Sequence, residues 1–203
     1  MPRVSSKKEL VVAAALSLFR QKGIRATTTK DIARRAGVSE GTIYRHFASK
    51  DELAAYIFER TETLFFRFLS SWLPASGDAT DMLRQYIRGF FAFSRKHHKH
   101  YSFIVAAYQT ELRKSVQSRM KPQTMLERII RHGQVQGSFR LMDTRLASAM
   151  VLGVLIQTVF HLKTGQLAVN FSDVLLETEQ TCLRILQNGA RHHPEQSNEE
   201  ADT

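Results

Sequence analysis

The 203-residue sequence is poor in several things, and each shortage removes a class of protein. It has a single cysteine, Cys182, so neither an internal disulfide nor a cysteine-rich zinc site can form. Only four prolines and ten glycines interrupt it, and no sustained two-residue alternation marks a strand. The opening MPRVSSKKEL lacks a long apolar stretch, so no secretory signal is visible and a reducing cytoplasm is the expected compartment. The longest apolar run, 146–162, falls short of the roughly 20 residues that span a bilayer and contains Ser148, Gln157, Thr158 and His161. It is expected to be a helix buried in the protein or in a dimer. A P-loop, a glycine-rich dinucleotide turn, HExxH and GxSxG are all absent, so no enzyme activity is expected.

What is present describes a globular chain of one domain, or of two small ones sharing a core. It is 43% hydrophobic and 24% charged, with a net charge of +10. The positive charge is concentrated. Residues 1–53 hold 11 basic and 5 acidic side chains, a density about twice that of residues 54–190. A basic segment of this kind favours a polyanionic partner. Residues 191–203 are polar and acidic and are expected to be a disordered tail.

The apolar spacing is helical throughout and predicts an all-α fold of about nine helices. Leu10, Val11, Ala14, Ala15, Leu18 and Phe19 form one face of a first helix that stops before Gly23. Short helices follow at 28–36 and 39–46. A longer one opens at Ser49, where Glu52 completes a capping-box spacing, and runs to about Trp72. Met82, Leu83, Tyr86, Ile87, Phe90 and Phe91 mark the next. Further helices are expected at 101–114, 123–136, 144–163 and 172–188. Composition changes near residue 50. The expected division is therefore residues 1–53, 54–190 and the tail 191–203, with the first boundary inside the helix that opens at Ser49.

The informative segment is TTKDIARRAGVSEGTIYRHFASK, residues 28–50. Ile32, Ala33 and Ala36 give one helix an inner face. Gly37 allows a tight turn, Ser39 caps the next helix, and Ile43 and Phe47 point back inward. This is the spacing of a helix-turn-helix, whose second helix enters the major groove of DNA. Thr28 and Thr29, with Asp31 completing a box, then suit a phosphate. Glu40, Gly41, Thr42, Tyr44, Arg45 and His46 are expected on the outer face of the second helix. Arg45 can donate twice to guanine, Thr42 can touch a thymine methyl, and Glu40 can accept from cytosine N4. Tyr44, His46 and Lys50 suit the backbone, and Gly41 lets the helix come close to the groove floor. Lys30 and Ser39 complete the expected DNA-contacting set.

Gly23, the run Thr27-Thr28-Thr29, Ile32-Ala33, Ala36-Gly37-Val38-Ser39, Gly41, Tyr44, His46-Phe47, Lys50 and Leu53 closely resemble the signature of TetR-family transcriptional regulators. Gly133, Gly137, Phe139 and Asp143 resemble a looser pattern of many members. The resemblance implies a helix-turn-helix domain followed by a helical ligand-binding and dimerisation domain. It implies a homodimer through the last two helices, a palindromic double-stranded DNA operator, and a small-molecule effector whose binding lowers DNA affinity, with repression as the usual outcome. By the same resemblance, Thr28, Thr29, Tyr44, His46 and Lys50 contact phosphates, while Glu40, Gly41, Thr42 and Arg45 face bases.

The remaining signals weigh less. Most of the 13 phenylalanines are expected to be core. Tyr86, Phe90, Phe93, Phe103 and Tyr108 are the candidates for lining a ligand cavity, and the scarcity of charge on those faces suggests a largely apolar ligand. His97, His98 and His100, with Lys96 and Lys99, have adjacent and three-apart spacing near a helix end. They are read as charges complementing the helix dipole, not as metal ligands. Cys182 is read as a buried apolar residue. No cofactor and no metal are expected. A DNA-coating protein without an effector is the alternative, distinguished by little sequence preference and strong salt dependence.

Overall fold

The computed structural model describes residues 6–108 and 122–187, and among them it is all-helical, with nine helices. In chain order they are α1 (Lys7–Ala26), α2 (Thr29–Ala36), α3 (Glu40–Tyr44), α4 (Lys50–Ser70), α5 (Ala79–Lys96), α6 (His98–Tyr108), α7 (Pro122–Gln136), α8 (Thr144–Lys163) and α9 (Phe171–Leu186). The expected helix at 101–114 runs partly outside the described residues, and the acidic tail 191–203 lies wholly outside them. The expected stop before Gly23 appears as a break inside α1, where Gly23 takes φ 81°, and one further turn carries the helix on to Ala26.

Local chemistry fixes the ends of the short helices. Thr28 caps α2 in a full capping box: its hydroxyl accepts from Asp31 N, and the Asp31 carboxylate accepts from Thr28 N. Gly37 ends α2 in the left-handed region, at φ 67° and ψ 35°, and turns the chain toward α3. Ser39 caps α3 through Thr42 N, and Ser49 caps α4 through Glu52 N. The second half of the α4 box differs from expectation, since the Glu52 carboxylate accepts from Ala48 N instead of from Ser49 N. Helix α3 spans only Glu40–Tyr44, shorter than the expected 39–46, and residues 45 and 46 form a turn.

Packing joins these helices into one core. Val11, Ala15 and Phe19 of α1 are buried with Ile32 and Ala33 of α2 and Ile43 and Phe47 at α3. Helix α4 packs on α1, α5, α6 and α7. Its C-terminal half carries an aromatic cluster, with Phe65 stacked on Phe93 at 4.2 Å and 5.5 Å from Phe90. Helices α7, α8 and α9 close the other side. Arg88 of α5 forms a two-pronged ion pair with the buried Glu179 of α9, with its Nε 2.7 Å from Oε1. Beside Glu179, Cys182 is fully buried, and burial pushes its thiol up to about 12. Arg140 donates its backbone N–H to Leu186 O and its Nε to Ile185 O, satisfying free carbonyls at the end of α9.

The four residues of the looser pattern have separate structural jobs. Gly137 supplies a positive φ of 75° after α7, and Asp143 caps α8. Phe139 folds its buried ring onto Gly133, where an added Cβ would come within 2.1 Å of the ring. Helix α8 is long and apolar enough to cross a membrane by length and composition alone. Here one side of it, Ala147, Val151, Leu155 and Val159, is buried in the core, while Leu146, Met150 and Phe160 remain exposed.

The contact at Gly133 yields a test of this packing. Gly133→Ala forces the Phe139 ring out of its site, an overpacking cost of roughly 1–3 kcal/mol. Thermal unfolding followed by circular dichroism should show a clear fall in melting temperature. An unchanged midpoint would mean that the ring does not pack on this backbone.

Candidate nucleic-acid interface and adjoining cavity

Apolar burial of Ile32, Ala33, Ile43 and Phe47 decides which sides of α2 and α3 face solvent. Lys30, Arg34 and Arg35 of α2 are exposed, as are Ser39, Glu40, Gly41, Tyr44, Arg45 and His46 at α3. Tyr44 is 53% exposed, unusually high for a tyrosine next to a core. Thr29, half-buried, donates its hydroxyl to the Glu40 carboxylate at 2.7 Å, so the one acid on this face is engaged across the two helices. The Asp31 carboxyl is held well below the usual carboxylate range, first by the Lys22 ammonium at 2.6 Å and then by Thr28.

Two residues depart from the expected arrangement. Thr42 is buried, 6% exposed, and does not lie on the outer face. Its hydroxyl sits 3.0 Å from that of Ser39, because in so short a helix the residue beside Ile43 turns toward the cap. Lys50 does not reach outward either. Its Nζ donates to Thr27 O at 2.8 Å and Arg25 O at 3.3 Å, tying the start of α4 to free carbonyls at the end of α1. The hydroxyl of Thr28 is likewise committed to its cap. Conversely, Arg34 and Arg35 belong to the exposed basic surface and were not among the expected contacts. Their signal was the adjacent pair itself, placed on the side of α2 opposite Ile32 and Ala33.

At Gly41 the nearest atom to an added Cβ is Ser39 Oγ at 3.9 Å, so the chain itself has room for a side chain there. Nothing inside the protein requires glycine at this position. A surface approaching α3 closely would meet bare backbone there.

A cavity of about 270 Å³ lies between α4, α5, α6, α7 and α8. Phe65, Phe90, Tyr101, Ile104 and Val105 wall one part of it, and Pro122, Gln123, Ala149, Leu152 and Ile156 the rest. Of the expected lining residues, Phe90 is present. Tyr86 is not: it is fully buried and donates its hydroxyl to Pro122 O at 3.2 Å, behind the wall. Phe93 is stacked on Phe65, and Phe103 turns away to stack on Phe19 of α1 at 6.2 Å. The side chain of Tyr108 lies outside the described residues. No group of three or more potential metal ligands occurs among the described residues. His97 is instead packed against Phe68 and Phe93, and burial lowers its pKa.

With this geometry in view, residues 6–57 match the family described as bacterial regulatory proteins, tetR family. The HTH-type transcriptional repressor KstR2 of Mycobacterium tuberculosis is 34% identical over 113 residues, 54% of this chain and 52% of the repressor. The chain thus spans about half the length of that relative. The fatty acid metabolism regulator protein of Bacillus subtilis is 25% identical over 73% of this chain and 79% of its own. Among solved structures, the fatty acid degradation regulator FadR from Bacillus halodurans superposes with a TM-score of 0.73 at 24% identity, over 94% of this chain and 99% of its own. FadR from Bacillus subtilis in complex with stearoyl-CoA gives a TM-score of 0.71 at 21% identity, over 88% and 98%. These structural likenesses establish the all-helical architecture. The N-terminal helices of the chain thus match the TetR family of bacterial regulatory proteins.

Proposed function

We propose that this protein is a cytoplasmic DNA-binding transcriptional repressor. It acts as a homodimer on a palindromic operator and is released by a small, largely apolar ligand. In this reading residues 1–53 form the reading head and 54–190 the ligand-binding and dimerisation part. The observation that carries it is the outer face of α3, where Gly41, Tyr44, Arg45 and His46 stand exposed over a helix anchored by Ile43 and Phe47. Arg45 reads base edges. Tyr44, His46, Lys30, Arg34 and Arg35 hold phosphates. Lys50 and Thr28 act by fixing helix ends, and Thr42 by packing.

A twofold reader needs its two heads about 34 Å apart, one turn of duplex. Exposed Leu146, Met150 and Phe160 on α8, with Leu176 on α9, supply an apolar face for a second copy. Gly153, which has open space beside it, lies on the same stripe. Helix α4 begins next to α3 and carries Phe65 into the cavity wall, so a ligand that prefers a shifted α4 alters the spacing of the heads. Linkage then requires that DNA weaken the ligand by the same factor, and 100-fold release needs about 2.7 kcal/mol. The names of the relatives, repressors and fatty acid regulators, support this reading, as does the neighbour solved with stearoyl-CoA.

A gel-shift comparison of a palindromic site beside its own gene with random DNA tests the reading. Similar affinity for both would reject sequence-specific regulation. Gly41→Ala should leave the melting temperature equal or higher, since alanine favours a helix by about 1 kcal/mol. It should nonetheless weaken operator binding by about tenfold. Tyr44→Ala should weaken all DNA sequences alike, whereas Arg45→Ala should relax preference at one or two base pairs, by roughly 1–3 kcal/mol. Equal loss of specificity in both variants would contradict these roles. Met150→Glu should weaken dimerisation by about 100-fold, because an unpaired carboxylate buried in an interface costs several kcal/mol. Sedimentation that still shows a dimer at micromolar concentration would place the interface elsewhere.

A further inference from the structure

We propose that Glu40 selects one base of the operator, by accepting a hydrogen bond from the amino group of a cytosine in the major groove, and that Thr29 is the residue that positions it. This rests on α3 being the reading helix, and it names a base that the helix chooses.

The starting point is an acid on a surface that suits a polyanion. Residues 1–53 carry five acidic side chains, and three of them have structural partners. Glu9 pairs with Arg60, Asp31 pairs with Lys22 and Arg34, and Glu52 accepts from Ala48 N. Glu40 differs. It is exposed as the first residue of α3, and among the described residues no Lys or Arg forms an ion pair with it. Its partner is a hydroxyl: Thr29 Oγ1 donates to Glu40 Oε2 at 2.7 Å. A hydroxyl orients a carboxylate without neutralising it. The second oxygen, Oε1, accepts no hydrogen bond among the described residues.

Thr29 is itself held in place. It follows Thr28, whose N–H and hydroxyl are engaged with Asp31, and Asp31 is bound to Lys22 of α1. A long side chain tied at one oxygen has lost part of its rotamer freedom before any partner arrives. Gly41, next in the chain, adds no side chain that would hold a base edge away.

The base follows from the groove chemistry. A carboxylate accepts and does not donate. Guanine O6 and N7 and thymine O4 are acceptors too, and they repel it. Adenine sets its N6 donor beside the N7 acceptor. Cytosine offers the N4 amino group alone. Phosphates repel the same carboxylate, so Glu40 is unfavourable on DNA except where a cytosine amino group meets it. Arg45 only donates, so the two side chains read different edges.

Full-length wild type, Glu40→Gln, Glu40→Ala and Thr29→Val should each select duplexes from a library with a randomised segment. The enriched sites are then changed base by base in gel shifts. The wild type should enrich a cytosine at one pair of each half-site, and its exchange for thymine should weaken binding about tenfold. Glu40→Gln should move the preference at that pair alone to adenine, because a carboxamide pairs with N6 and N7. Glu40→Ala should remove the preference there and tighten binding to random DNA about threefold, since a charge repelled by phosphate is gone. Thr29→Val keeps the shape without the donor and should cut the cytosine preference at least threefold, with the other pairs unaffected. A bond that only ties α2 to α3 predicts something else: even loss of affinity over all positions and a lower melting temperature. That result would overturn the proposal. So would a cytosine preference that Thr29→Val leaves intact. A selected site whose profile Glu40→Gln leaves unchanged removes the role of Glu40 and leaves the regulator standing. A wild type that enriches no sequence rejects the regulatory reading and this inference with it.

Discussion

Helix α4 holds this molecule together, because both of its ends are committed to other elements. At its N-terminus Lys50 is bonded to the last carbonyls of α1, and Tyr56 lies under Lys8 at 4.3 Å and beside Phe47 at 5.2 Å. Arg60 reaches back to Glu9 at 2.8 Å. At its C-terminus Phe65 and Leu69 are buried, with Phe65 stacked into α5. A close-packed helix fixed at both ends moves as a rod. In the proposed mechanism, a change of its tilt at Phe65 would be passed to the three helices that precede it.

The basic character of the first quarter is divided between structure and surface. Lys22 is bound to Asp31, Lys50 to backbone carbonyls and Lys8 to two aromatic rings. Arg34 shares Asp31 at 3.2 Å but is four-fifths exposed, a geometry of little energetic weight. Lys30, Arg35 and Arg45 are left on the outer surface without ion pairs among the described residues. Net charge therefore indicates the kind of partner, and partner assignments within the protein indicate which cations remain for it.

Much of the helix-turn-helix could be read from residue types, because its determinants are local. A threonine-aspartate box, a glycine that turns left-handed and a serine cap each act within four residues. The buried Ile32, Ile43 and Phe47 follow directly from helical spacing. Thr42 and Lys50 depart from the outer face for a common reason. A polar side chain at a helix end chooses between solvent and unsatisfied backbone groups nearby, and that choice depends on a neighbouring helix. The cavity was harder still. Tyr86, Phe93 and Phe103 sit on apolar faces indistinguishable by period from that of Phe90, yet they meet Pro122, Phe65 and Phe19 instead of empty space.

The order of elements, the caps, the turn at Gly37 and the basic character of the N-terminal quarter were determined by the sequence alone. They depend on backbone hydrogen bonds and side-chain spacing within a turn or two. Only the tertiary structure decided which aromatic residues wall the cavity and that an apolar stripe of α8 is left facing outward. Those outcomes arise from contacts between helices distant in the chain, where a residue's type sets only its preference for burial and its packing partner sets what it does.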